Sequence, residues 1–204
     1  MEVVIRASDF GGFDYCEEKW LAQRRGEIQF VSSPQIEEGA RIHRMLDKQF
    51  LAELTEGFDF DGFIRSGKQG RVRPGAIGAR LYAKFGDMKL AAIPDELLLD
   101  ERGLTIIEDK NSHAAYAGYK NQARLYAFIL QLLFPKELAL KPTFCIIRQV
   151  SSLEQLWVEE YTAESTNLLI SGLHKIRDVL LGYVKPVPCE HNPSCIPSRG
   201  DSGK

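Results

Sequence analysis

The stretch IPDELLLDERGLTIIEDK, Ile93 to Lys110, decides how this chain of 204 residues is read. Apolar residues run from Met88 to Ile93 and on through Leu97 to Leu99, and a second run covers Leu104 to Ile107. Arg102-Gly103 lies between them as a tight turn, so the pattern predicts a β-hairpin. The returning strand brings Asp95 and Glu108 to neighbouring positions on adjoining strands, within reach of one divalent cation. Their hard carboxylate oxygens suit magnesium or manganese. Lys110, two residues after Glu108, shares its side of the strand, where an ammonium can orient or help deprotonate a water and offset phosphate charge. Hydrolysing a phosphodiester at neutral pH needs an activated water and stabilised charge on the phosphate, which a carboxylate-bound metal supplies. An acid followed two places later by lysine is, by itself, an ordinary solvated strand end, so the remaining sequence has to add to it.

Upstream, Ser8 is placed to cap a short helix running into Tyr15, Cys16 and Trp20. Ser33-Pro34, with Glu37 and Glu38 in the first turn, predicts a longer helix to about Leu54. Ile36, Ala40, His43 and Phe50 fall on one stripe of it, which turns His43 towards the core. Seven basic residues, Arg65, Lys68, Arg71, Arg73, Arg80, Lys84 and Lys89, are opposed only by Asp87 and interspersed with glycines, which reads as a flexible basic segment. Such a segment attracts DNA phosphates through counterion release, or simply keeps the protein soluble. Tyr82, Phe85 and Phe63 nearby can stack on unpaired bases or belong to the core. Downstream, Tyr116 to Phe134 is a helix stopped by Pro135, Thr143 to Val150 and Leu156 to Glu160 are strands, and Ala163 to Leu181 is another amphipathic helix. The prolines after Lys185 exclude helix, and Ser198 to Lys204 is expected to be a disordered tail.

Composition bounds these readings. With 44% hydrophobic residues the chain can bury one substantial core, so one domain is expected over residues 1–197. A formal charge of −2 gives no overall basic excess, and any nucleic-acid site must be a local patch. No apolar run approaches the roughly 20 residues a spanning helix needs, and the N-terminus has no signal pattern, so an intracellular, soluble protein is expected. Cysteines 16, 145, 189 and 195 are too few and too unevenly spaced for a disulfide scaffold, leaving metal ligation or burial. There is no internal repeat, no Walker-type phosphate loop and no G-x-S-x-G elbow.

Asp95 with Glu108-x-Lys110 resembles the PD-(D/E)XK nuclease signature. Gln122-Ala-Arg-Leu-Tyr126 resembles the Q-x-x-x-Y motif of its RecB-like branch, and Gly39-Ala-Arg-Ile-His43 the G-x-x-x-H helix of that branch. Gln122 and Tyr126, four apart on a helix, share a face from which they contact a DNA backbone or brace the site. The resemblance spans nearly the whole chain and is nearest to the CRISPR-associated RecB-like exonucleases, the Cas-four family. It implies an α/β fold with a restriction-endonuclease-like core, a central mixed sheet flanked by helices. It also implies metal binding by His43, Asp95, Glu108 and the main-chain carbonyl of Asp109, with Asp95, Glu108 and Lys110 catalytic and Gln122 and Tyr126 supporting the substrate.

In that family one cysteine near the N-terminus and three near the C-terminus hold an iron-sulfur cluster that staples the chain ends, here residues 1–30 and 182–197. Cys16 stands where the first ligand belongs, and Cys189 and Cys195 have the spacing of the last two. Pro186 occupies the position three before Cys189, so the match is incomplete. His191, or Cys145 if its strand faces the chain ends, is a candidate fourth ligand, and a mixed Cys/His set also suits zinc. The resulting expectation is a magnesium- or manganese-dependent deoxyribonuclease, an exonuclease on single-stranded DNA working with CRISPR adaptation proteins in spacer acquisition. The alternative is a non-catalytic nucleic-acid-binding or assembly subunit that keeps the fold.

Overall fold

A computed structural model describes residues 2–54 and 57–188. The chain enters on β1 (Val3–Arg6), whose side chains alternate buried and exposed. Two helices follow, α1 (Asp9–Tyr15) and α2 (Glu17–Arg24), where one was expected from Ser8. Ser8 makes no side-chain cap. The break falls at Cys16, whose extended backbone lets its Sγ accept the Lys19 N–H at 3.5 Å, so a thiol caps the second helix.

Helix α3 (Pro34–Glu53) starts as predicted, with Ser33 Oγ accepting the Ile36 N–H at 3.3 Å. Gly39, Ile42 and Phe50 are its buried residues, whereas Ile36 and Ala40 face solvent, so its inward face is rotated from the predicted stripe. The basic run is not a flexible segment. It contains the end of α4 (Phe60–Ser66), β2 (Gly70–Val72), β3 (Leu81–Phe85) and the start of β4 (Met88–Ala92). Cross-strand pairing, invisible in a glycine-rich stretch read alone, orders it.

The predicted hairpin is β5 (Glu96–Asp100) and β6 (Gly103–Lys110), antiparallel from Glu96 opposite Ile107 to Asp100 opposite Gly103. The apolar run before it does not continue into the hairpin. Pro94 has no amide hydrogen for the ladder, and β4 on its far side belongs to a different sheet. Close to their predicted bounds come α5 (Ala117–Leu133), a short α6 (Pro135–Leu138), β7 (Thr143–Gln149), β8 (Gln155–Glu160) and α7 (Ala163–Leu181).

The architecture is α/β, with a central mixed sheet flanked by helices. Five strands run in the order β2-β5-β6-β7-β8, with only β6 and β7 parallel, and a smaller sheet has the order β1-β4-β3. Strand β6 is buried from Gly103 to Asp109, as its place in the middle of the sheet requires. Helix α5 touches β3 and β4 of one sheet and β6 and β7 of the other, so its side chains link the two. Among the described residues no helix is long and apolar enough to cross a membrane. Cys189, His191, Cys195 and the expected tail from Ser198 lie outside the described residues.

Candidate active site

The site forms where the β5–β6 ladder stops. Beyond the Glu96–Ile107 pair, the Asp109 N–H donates to Asp95 Oδ2 at 2.8 Å, so a side chain takes over from the strand. That bond places Asp95 against the end of β6. Alternation along the strand sends Glu108 and Lys110 to one face and Asp109 to the other.

Glu108 is 3% exposed. Its Oε1 accepts from Lys110 Nζ at 2.5 Å and from Gln122 Nε2 at 2.7 Å, while its Oε2 is buried without a hydrogen-bond partner. A buried carboxylate oxygen left unpaired costs about 1–3 kcal/mol or more, so its retention calls for an explanation. Burial, reinforced by the Glu108 and Asp109 carboxylates, pushes the Asp95 carboxyl well above the usual carboxylate range. A cation beside these groups reverses that penalty. Burial opposes the charge on Lys110, yet Glu108 and then Asp95 more than offset it and hold the ammonium above its ordinary value.

His43 reaches the cluster from α3, with Nδ1 3.4 Å from Asp95 Oδ1. Gly39, one turn earlier, permits the approach: a Cβ there would lie 3.2 Å from Asn111 Cβ, just past the end of β6. Asn111 Nδ2 in turn donates to Gln35 O at 2.9 Å. Candidate ligand atoms of His43, Asp95 and Asp109 all lie within 4.8 Å of one another. One imidazole and two carboxylates fit a hard divalent cation such as magnesium or manganese, and this trio takes in the Asp109 side chain where the resemblance implied Glu108 and the Asp109 main-chain carbonyl.

Gln122 and Tyr126 do share a face of α5, and both are buried. Gln122 Nε2 donates to Glu108 and to Tyr126 Oη at 2.6 Å, and its Oε1 accepts from Lys110 at 3.0 Å. The pair therefore braces the acid and the lysine from behind. Burial, then Glu108 and Asp95, raises the Tyr126 hydroxyl well above its ordinary value, so it remains a neutral donor.

Sequence reasoning missed the other face of β6. The fully buried Asp109 side chain accepts from Arg148 Nε at 2.7 Å and lies 3.4 Å from Arg73 Nη1. Both arginines also reach Glu96, at 3.0 Å from Arg148 and 3.2 Å from Arg73, and Arg73 Nε donates to Asp47 at 2.7 Å. Asp47 lies four residues after His43 on α3, a spacing that gave the one available signal. Tyr119 was also missed: its ring centre lies 4.8 Å from Lys110 Nζ. Of the predicted basic residues, Arg65 pairs with Glu137 and Arg71 with Glu53, and Arg73 is buried, so these three are neutralised internally. Phe85 packs on Phe128 and Phe63 on Phe58, while Tyr82 stays 47% exposed.

Of the cysteines, Cys16 is buried at its helix cap. Cys145 is a core thiol: fully buried on β7, it contacts Ala123 O on α5 at 3.5 Å and does not turn to the chain ends. Burial, then Glu159, raises its ionisation far above the ordinary thiol range.

No family model matches this chain, and no curated protein does. Among solved structures it is similar to a candidate exonuclease from Eubacterium rectale, with a TM-score of 0.54, 14% identity and coverage of 94% of this chain and 86% of that one. Weaker likenesses are to SSO0001 (TM-score 0.49, 13% identity, covering 91% and 79%) and to LHK-Exo in complex with dAMP (TM-score 0.41, 12% identity, covering 88% of each). At such identity the first of these shows a shared fold.

Proposed function

We propose that this protein is a RecB-like, metal-dependent DNA nuclease that hydrolyses phosphodiester bonds as an exonuclease on single-stranded DNA. The observation that carries the reading is the buried, unpartnered Glu108 Oε2 beside an Asp95 whose charge is disfavoured until a cation arrives. His43, Asp95, Glu108 and the Asp109 main-chain carbonyl would hold magnesium or manganese, which when bound supplies a more acidic water and neutralises charge on the phosphate. Lys110 presents its ammonium to the phosphate and to the attacking water. Gln122 holds Glu108 and Lys110 in one geometry, and Tyr126 holds Gln122. The fold shared with a candidate exonuclease supports this reading. CRISPR spacer acquisition, with adaptation proteins as partners, is the setting the sequence resemblance implies.

We infer further that Cys16, Cys189 and Cys195, with His191 as fourth ligand, hold an iron-sulfur cluster or zinc. Glu17, the neighbour of Cys16, supports it: its Oε2 accepts the Val187 N–H at 3.0 Å and its Oε1 accepts from Lys175 at 2.5 Å. The chain two residues before Cys189 is thus tied beside Cys16.

Degradation of end-labelled single- and double-stranded DNA with manganese, magnesium or EDTA tests the central reading. Metal-dependent cleavage that falls about a thousandfold in Glu108→Ala is expected, since several kcal/mol of charge stabilisation goes with the ligand. Parent protein that cleaves nothing in either metal would make the chain a binding or assembly subunit.

A further inference from the structure

The smaller sheet turns one face to solvent, and that face carries an unusual set of side chains. On β1, Val3 and Ile5 point inward while Val4 and Arg6 point out. On β4, Met88 and Leu90 point inward while Lys89 and Ala91 lie on the outer face, and on β3 that face bears Tyr82 and Lys84. Register lines these up in rows: Arg6, Ala91 and Tyr82 in one, Val4, Lys89 and Lys84 in the next. Ala91 is small, so a trough runs between Arg6 and Tyr82. Lys89 Nζ stands 5.3 Å from the Tyr82 ring centre.

This face brings several cations together without acids to answer them. No described carboxylate lies within ion-pair distance of Arg6, Arg80, Lys84 or Lys89, whereas Arg65, Arg71, Arg73, Arg124 and Arg148 are each paired. The trough opens into a cleft of about 550 Å³ lined by Arg6, Arg80, Tyr82 and Lys89 and, at its inner end, by Gln122 and Tyr126. Those last two touch Glu108 and each other. A ligand lying on the sheet therefore reaches the two side chains that hold Glu108, while Glu108 itself stands behind them and does not line the cleft.

We propose that the outer face of β1-β4-β3 is the path of a single nucleic-acid strand into the site, with Arg6, Arg80 and Lys89 on its phosphates and Tyr82 stacked on an unpaired base. The proposal rests on the nuclease reading for what happens at the inner end, and binding itself can be measured apart from it. Unpaired cations recruit phosphates by releasing counterions, and an exposed tyrosine ring offers a stacking platform that a base held in a duplex cannot use. This face, not the whole basic run, is then what selects single strands.

Binding of labelled oligothymidylate, the same length of duplex DNA, oligouridylate and heparin, measured by anisotropy in EDTA, tests it. Tyr82→Ala should weaken single-strand binding roughly tenfold and Tyr82→Trp should retain it. The double variant Arg80→Ala with Lys89→Ala should lower the slope of log K against log salt by about 1.4, or about 0.7 per lost phosphate contact. Oligouridylate bound like oligothymidylate would make the path one for either single-stranded nucleic acid and leave it in place. Unchanged single-strand binding in the face variants, or equal losses for heparin and duplex, would overturn the proposal while leaving any cleavage by the parent intact. Single-strand binding lost in those variants from a protein that cleaves nothing would instead overturn the nuclease reading alone.

Discussion

Glu108 and Asp109 are adjacent on one strand and differ in nearly everything that decides what a carboxylate does. Asp109 is fully buried and answered by two arginines, which a second acid, Glu96, also shares. Glu108 is nearly as buried, yet it has one lysine, one amide and an oxygen with nothing on it. The first arrangement has its countercharges within the chain. It ties α3, β5, β6 and β7 together through Asp47, Arg73, Glu96, Asp109 and Arg148, and so fixes the strand end from which Asp95 hangs. The second leaves one carboxylate oxygen that no described group partners.

The sharpest way to break this contrast is to neutralise each acid in turn. Asp109→Asn should destabilise the protein by about 3 kcal/mol, because Arg148 is left with Glu96 alone and Arg73 with Glu96 and Asp47. Glu108→Gln should change stability by only about 1 kcal/mol, since lost pairing with Lys110 is offset by relief of repulsion with Asp95. Urea denaturation without metal measures both, and equal losses would dissolve the distinction. Next in size is the effect of the cation itself: manganese at a hundred times its dissociation constant should stabilise the parent by about 2.7 kcal/mol, with EDTA reversing it. Glu108→Gln should lose most of that gain. A parent whose melting temperature ignores manganese would leave the unpaired oxygen without its explanation. The smallest effect concerns the brace. Gln122→Ala should cost about 1–2 kcal/mol by removing one of the two donors on Glu108 Oε1 and the amide partner of Lys110 and Tyr126, and a cost of zero in urea denaturation would mean that water replaces the amide without loss.

Local pattern made much of the fold readable. The Ser33-Pro34 start of α3, the turn at Arg102-Gly103 and the stop before Pro135 each depend on residues a few positions apart, and each element stands close to where those residues put it. The same holds for Gln122 and Tyr126, because helical spacing alone puts them on one face. What the pattern could not show depends on partners far along the chain. Arg73 reads as one more solvated cation in a basic run, and only the approach of Asp47, Glu96 and Asp109 makes it a buried tie. Cys145 is indistinguishable in sequence from a ligand until α5 covers it.

The sequence by itself therefore determined the hairpin, the long helices α3, α5 and α7, and which acids, histidine and lysine are available, since those follow from periodicity, turns and residue chemistry. Tertiary structure alone decided which acid is neutralised and which is left open, which arginines are free, and that the apolar run at Pro94 divides between two sheets. The physical reason is that burial and charge pairing are properties of what packs across a strand, and sequence neighbours as close as Glu108 and Asp109 face opposite sides of it.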